Sequence, residues 1–229
     1  QYDNNVAVLL ALGKYNLRIQ KIDAAKGFYE RQDVFKQEIN SDFLLSYKKD
    51  FGNKFSLAAS AGGNAMSYKY RRTEAEVTGL VVPGVYKLSN GSSAPILTLG
   101  DAYKKMSSLY GLISMSYADM LFVDITGRND WRSVLNKENR SLFYPAADLA
   151  FIASDAIPFL KESKTIQSLK IRGGWSKVGL VNLGAYALNT TFGQAYGYPY
   201  NNVPGFTIGN QVVSPNIKPE VTTQVEGGF

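Results

Sequence analysis

Apolar and polar residues alternate with a period of two along most of this chain. Between Phe35 and Tyr47 the odd positions run Phe35, Gln37, Ile39, Ser41, Phe43, Leu45, Tyr47, and the even ones Lys36, Glu38, Asn40, Asp42, Leu44, Ser46. Successive side chains of a strand point to opposite faces, so this pattern predicts a β-strand with one apolar and one polar face. The apolar set falls on odd numbers again at Tyr15, Leu17 and Ile19; at Leu109, Ile113, Met115 and Tyr117; and at Leu121, Val123 and Ile125. Phe143, Ala147, Leu149 and Phe151 continue it, as do Leu169, Ile171 and Trp175, and finally Val221 and Val225. Eight strands are expected, at about 6–20, 34–49, 54–71, 105–117, 121–130, 142–154, 168–178 and 220–229. Helical periodicity is confined to 155–167, where Asp155 is placed to cap a short turn carrying Ile157, Phe159 and Leu160.

Several of these strands reach 13 residues, against a usual length of about 5–6 in soluble sheets. Short turns are predicted at 50–53 and 118–120, and long connections at 21–33, 72–104, 131–141 and 179–219. Short turns on one side and long loops on the other describe an outer-membrane barrel. A soluble sandwich also has one apolar face per strand. Strand length, loop asymmetry, the Tyr and Phe excess and the lack of Cys favour the barrel, with its apolar face toward lipid and its polar face toward the lumen.

Composition narrows the chemistry. The 229 residues include no His and no Cys, which excludes Ser-His and Cys-His catalysis, the usual zinc sites, haem and iron–sulfur ligation, and disulfides. No cofactor or metal is expected. The longest apolar run, Val6 to Leu12, is too short for a membrane helix, which needs about 20 residues. It lacks the basic start and small-x-small site of a signal peptide, so it reads as a strand, and the start of the chain looks mature or truncated. The net charge of +6 is spread in pairs such as Lys48-Lys49, Arg71-Arg72 and Lys104-Lys105. Nucleic-acid binding wants a concentrated stripe and a recognisable module, so no nucleic-acid partner is expected.

Two sets of residues are candidates for function. Asp124, Arg128, Asp148, Lys170, Arg172 and Glu226 fall on the polar faces and are expected to line the lumen as solvated charges or substrate contacts; no catalytic role is expected for them. Within the connection 179–219, Tyr186, Phe192, Tyr196, Tyr198, Tyr200 and Phe206 alternate with Gly, Asn and Pro. Such rings suit stacking on sugars or packing against a peptide or partner protein; the plainer expectation is a loop folded around its own aromatics. The connection 72–104, with Pro83-Gly84-Val85-Tyr86 and Asn90-Gly91, is a weaker surface candidate. Gly62-Gly63 and Gly173-Gly174 fit no phosphate loop and are expected to mark bends or close backbone approach.

The stretch Ser108-Leu109-Tyr110-Gly111-Leu112-Ile113-Ser114-Met115-Ser116-Tyr117, followed by Leu121 to Arg128 and Arg128-Asn129-Asp130-Trp131, resembles a strand–turn–strand element of the SusC/RagA family of TonB-linked outer-membrane transporters. Asn139 to Pro145, Leu169 to Ser176 and Pro219-Glu220-Val221-Thr222 resemble later elements of that family in order and spacing. The resemblance implies a 22-stranded barrel in the bacterial outer membrane, closed by a plug. It further implies a SusD-like surface lipoprotein as lid, energisation by TonB through the plug, and uptake of a glycan or oligopeptide. On that view residues 1–229 are a partial barrel domain, an interior piece without the plug and the remaining strands. The alternative is a self-contained eight-stranded outer-membrane barrel with a structural or adhesive role.

Overall fold

The computed structural model describes residues 3–23, 27–162, 165, 168–209, 213, 214 and 216–229, with backbone alone for 3–11 and Gln194. The strands are β1 (Asp3–Asp23), β2 (Phe28–Phe51), β3 (Phe55–Val77), β4 (Ile96–Tyr117), β5 (Leu121–Arg132), β6 (Ser141–Ile152), β7 (Lys170–Leu180), β8 (Phe192–Gln194), β9 (Phe206–Ile208) and β10 (Glu220–Gly228). Eight of them form one sheet in the order β1-β2-β3-β4-β5-β6-β7-β10, and β8 and β9 form a separate hairpin. The large sheet is not closed: β1 and β10 are its outer strands. All eight expected strands are present. Contacts divide the chain into two compact units, one of residues 1–8, 42–64 and 106–229, the other of residues 9–41 and 65–105.

In the first unit the burial pattern is inverted relative to a soluble protein. Leu45, Leu109, Ile113, Ile125, Leu149 and Trp175 are exposed, while Ser108 and Asp130 are each only 3% exposed. Exposed apolar side chains on one face with buried polar ones on the other is the distribution expected of a wall whose apolar face meets hydrocarbon. Pairing keeps parity across the sheet: Ile113 faces Ile125, Ile125 faces Ala147, Ala147 faces Trp175 and Trp175 faces Val225. That transverse row is apolar from β4 to β10. Turns set the register. Met120 N–H donates to Tyr117 C=O at 3.0 Å around Ala118 (φ 50°) and Asp119 (φ 57°), a type I′ geometry whose twist matches the flanking strands.

Gly62 meets a close approach. A Cβ there would stand 2.6 Å from both the Phe43 carbonyl oxygen and the Tyr110 ring, whose hydroxyl reaches Phe43 O at 3.5 Å. At Gly111 the nearest atom would be Ser60 O at 3.6 Å. Gly62→Ala is expected to destabilise folding by about 1–3 kcal/mol and Gly111→Ala by less than about 0.5 kcal/mol. Urea titration of the full-length protein in detergent checks this, and equal effects at the two positions would refute the packing argument. The 155–167 segment differs from expectation. It forms two four-residue helices, α1 (Ala153–Ala156) and α2 (Pro158–Lys161), separated where Pro158 begins the second. Asp155 lies inside α1, whose cap position is Ile152, with no side-chain cap. Residues 163, 164, 166 and 167 of that segment lie outside the described ones.

In the second unit the strands outrun their sequence pattern. The expected connections 21–33 and 72–104 shrink to 24–27 and 78–95, because β1 to β4 run 21, 24, 23 and 22 residues. Stretches such as Glu30-Arg31-Gln32-Asp33 are polar on both faces, which erases the alternation that marks a membrane strand, and Glu30 and Gln32 are buried among polar partners. β1 also has the opposite parity to the one expected. Arg18 Nε donates to Asp33 at 2.9 Å, Lys21 Nζ to Glu30 at 3.2 Å, and Lys36 Nζ lies 5.4 Å from the Tyr15 ring centroid. Even residues of β1 therefore share a face with odd residues of β2, and Tyr15, Leu17 and Ile19 share one with Lys36. The apolar run at 6–11 has side chains outside the described set.

The connection 78–95 is fastened by Asn90. Its Nδ2 donates to the carbonyls of Val82 (2.8 Å) and Val85 (2.7 Å), and its Oδ1 accepts from Val82 N–H (3.1 Å).

Candidate functional site

Pairing places three of the lumen candidates on one transverse row. Ser114 faces Asp124, Asp124 faces Asp148, Asp148 faces Gly174 and Gly174 faces Glu226. Arg172 faces Ala150 and Gly228 on the next row toward the turns, and Lys170 faces Ile152 beyond it. These five charged residues line a cavity of about 270 Å³, floored by Phe122, Gly173 and Gly174. At Gly174 a Cβ would meet Asp148 Oδ1, the tip of an exposed side chain that can turn aside, and would lie 3.5 Å from Glu226 Cγ. The missing side chain lets the Asp148 carboxylate lie across β7 toward β10.

Directly opposed carboxylates disfavour strand pairing. Asp124 and Asp148 are nonetheless opposed, and all five side chains of the group are exposed, so water screens them. Among the described residues neither Lys170 nor Arg172 is within ion-pair distance of these acids. The result is a wet wall carrying both signs of charge, able to exchange hydrogen bonds with a passing polar solute.

Arg128 stands apart from this group. It sits two rows farther from the turns, opposite Tyr110 and Tyr144, and is held in place. Its Nε donates to Asp130 Oδ1 at 2.7 Å, its Nη2 to Ser108 Oγ at 3.0 Å, and its guanidinium carbon lies 5.8 Å from the Tyr110 ring centroid. Arg132 reaches the other Asp130 oxygen at 3.4 Å. Sequence reasoning placed Arg128 on the polar face but missed this buried anchor. The signal was available, since opposite charges at i and i+2 of a strand share a face.

The loop aromatics are exposed. Tyr196, Tyr200, Phe192 and Phe206 stand out most, and Tyr186 and Tyr198 are about half exposed at 51% and 45%. Apart from Tyr198, these rings therefore do not form a core for the loop. Instead β8 and β9 pair Phe192 with Ile208 and Gln194 with Phe206, which sets Phe192, Phe206 and Ile208 on one face of a two-stranded ribbon. Tyr198 is backed by Gly205, where a Cβ would meet its ring at 2.5 Å. Asn201 (φ 48°) and Asn202 (φ 62°) turn the chain tightly between Tyr200 and Val203.

One acidic cluster was missed in the sequence. Carboxylate oxygens of Glu30, Glu74 and Glu76 lie within 4.8 Å of one another. Gln32 Nε2 donates to both Glu30 and Glu74, Lys21 pairs with Glu30 at 3.2 Å and Arg72 with Glu74 at 3.2 Å. Side chains of this unit already supply the positive charge that holds the carboxylates together.

Residues 2–229 match the family model of the TonB dependent receptor-like β-barrel. The chain belongs to this family. TonB-dependent receptors are outer-membrane proteins, so the exposed apolar face lies against lipid. Similar members include TonB-dependent receptor P3 of Formosa agariphila, 24% identical over 82% of this chain and 19% of that protein. TonB-dependent receptor SusC of Bacteroides thetaiotaomicron is 27% identical over 53% of this chain and 12% of that protein. The fold is that of the RagAB peptide importer in its closed-closed state, with a TM-score of 0.77 and 16% identity over 99% of this chain and 26% of that one. The open-open state of the same importer gives 0.72 at 18% identity. The chain spans about a fifth of the first curated relative and a quarter of the solved chains it matches.

Proposed function

We propose that this chain is the barrel-wall portion of a TonB-dependent importer of nutrients, either glycans or oligopeptides. The remaining strands and a plug domain would complete the pore, and TonB would act through the plug. The observation that carries this reading is the match of nearly the whole chain to the receptor barrel, together with a polar, charge-bearing inner face. No reaction is assigned to the wall; Asp124, Asp148, Glu226, Lys170 and Arg172 serve as transient polar contacts along the path. A SusD-like lipoprotein would cover the loop side, and the exposed rings of Tyr186, Phe192, Tyr196, Tyr198, Tyr200 and Phe206 would meet substrate or that lid.

Uptake of labelled glycans and oligopeptides by cells with and without the gene, and with TonB intact or ablated, tests the assignment. Loss of uptake in both deletions supports import, and unchanged uptake in either would sink it. Replacing Phe192, Tyr196 and Phe206 together by Ala is expected to lower uptake at limiting substrate by about tenfold, with surface abundance unchanged. Unchanged uptake would return these rings to a purely local role.

A further inference from the structure

The hairpin that carries β8 and β9 grows from the end of the sheet opposite the charged wall. Leu180 pairs with Glu220 at that end of β7 and β10, and Arg172 with Gly228 at the other. From Val178 to Ile217 the chain has no Asp, Glu, Lys, Arg or His, although 19% of the whole chain is charged. Its polar side chains are amides and hydroxyls instead, and Thr191, Asn201, Asn202 and Thr207 are exposed. Such a surface offers no ionic partner to a charged solute, and covering it desolvates no ion.

The rings of this hairpin stand on a fixed frame. Gly209 N–H donates to Thr191 C=O at 2.9 Å and Ala195 N–H to Gly205 C=O at 2.8 Å, with the β8–β9 pairs between them. Nearer the tip, Tyr200 N–H donates to Val203 C=O at 3.1 Å and Val203 N–H to Tyr200 C=O at 2.9 Å. Tyr198 N–H donates to Ala195 C=O at 3.2 Å, which turns its side chain back toward Gly205. A Cβ at Gly205 would stand 2.5, 2.5 and 2.6 Å from Tyr198 Cγ, Cδ1 and Cδ2, so the glycine backbone underlies one face of the ring. The ring is 45% exposed, on the side turned away from the glycine, and Tyr196 and Tyr200 on either side are more exposed still. A sugar ring presents C–H groups on its face and hydroxyls around its rim. The face stacks on a flat aromatic ring, and neutral amides and hydroxyls take the rim. An oligopeptide brings charged termini and side chains, for which this hairpin has no counter-charge.

We propose that the hairpin 191–209 binds a neutral oligosaccharide. Tyr198, seated on Gly205, is the stacking platform; Tyr196 and Tyr200 meet the neighbouring sugar units, and Asn201 and Asn202 hydrogen-bond their hydroxyls. The inference rests on the importer reading above and narrows its substrate to uncharged glycans.

The test titrates the full-length protein in detergent by calorimetry. The probes are neutral hexasaccharides of glucose, xylose, mannose and galactose, a hexasaccharide of galacturonic acid, and hexapeptides with charged or capped ends. At least one neutral sugar is expected to bind, with an affinity unchanged between about 0.05 and about 0.5 M salt. Tyr198→Ala should weaken that binding about tenfold or more, while Tyr198→Phe stays within about threefold of wild type. Gly205→Ala, which lifts the ring from its seat, should behave like Tyr198→Ala. Heat-modifiable gel mobility reports whether each variant has folded; if the Ala variants do not fold, the probe panel and salt series on wild type decide. Binding by none of the neutral sugars overturns the proposal, as does tighter binding of the acidic sugar or of either peptide. Full affinity in a folded Tyr198→Ala variant, or sugar binding that falls with salt, overturns it too. Sugar binding without TonB-dependent uptake would keep this site and sink the importer reading, whereas TonB-dependent uptake of peptides without sugar binding would do the reverse.

Discussion

Arginine in place of Ile125 will destabilise the folded barrel by about 2–4 kcal/mol, whereas arginine in place of Thr126 will change it by less than about 1 kcal/mol. Ile125 is 46% exposed on the outward face, between Ile113 and Ala147. It stands five residues beyond the turn at Ala118–Met120, so with strands tilted by about 40° it lies about 13 Å from that end. An apolar band about 25 Å tall puts it near the bilayer middle, where a guanidinium costs most. Thr126 points the other way, into a wet lumen flanked by Leu112 and Ala146. Urea unfolding of the full-length protein in lipid vesicles reads both changes. Equal penalties at the two neighbours would mean that the sheet does not divide lipid from water as described.

Asp130→Ala is expected to cost about 2–3 kcal/mol, read in the same unfolding measurement. Removing one partner of a buried pair costs about 3–5 kcal/mol when both charges are dry. Here Asp130 is dry, but the Arg128 and Arg132 side chains are 41% and 29% exposed, which lowers the figure because water can resolvate them. Loss of the carboxylate also frees Arg128 to leave Ser108 and Tyr110, so the Tyr110 seat over Gly62 loosens with it. Asp130→Asn keeps the volume and an acceptor and should cost about half as much. An Ala variant as stable as wild type would show that the pair is decorative.

The strands were legible in the sequence wherever one face met an apolar medium and the other water, because such a divided environment enforces a period of two. Leu109 to Tyr117 and Leu121 to Ile125 are such stretches, and the short turn between them follows from their spacing. Legibility failed where both faces are polar. Glu30 to Asp33 look like a loop by composition, yet they extend β2 because backbone pairing does not need an apolar face. It also failed at β1, where Tyr15, Leu17 and Ile19 mimic a lipid face while Arg18 and Lys21 show by their partners that they do not form one. Parity within a strand is a local property; parity between strands depends on register, which the apolar pattern fixes only when one face is buried in something.

For the candidate site, the lumen row could be read off even numbers, but its geometry could not. That Asp124 and Asp148 oppose each other, with Gly174 making room, depends on two registers at once. The exposed ribbon bearing Phe192 and Phe206 was hidden because three-residue strands give too few positions for alternation to appear.

The length of β2 has a further consequence. Twenty-four residues at about 3.4 Å each, tilted by about 40°, rise roughly 60 Å, about twice the hydrocarbon thickness of a bilayer. Much of the basic and acidic sequence that would otherwise invite proteolytic nicking is therefore held as paired backbone above the membrane. A protease needs unpaired chain to thread its cleft, and most loop-like residues of β1 to β4 offer none. The long strands are thus also a form of armour, and the backbone open to cleavage lies in the connections between strands.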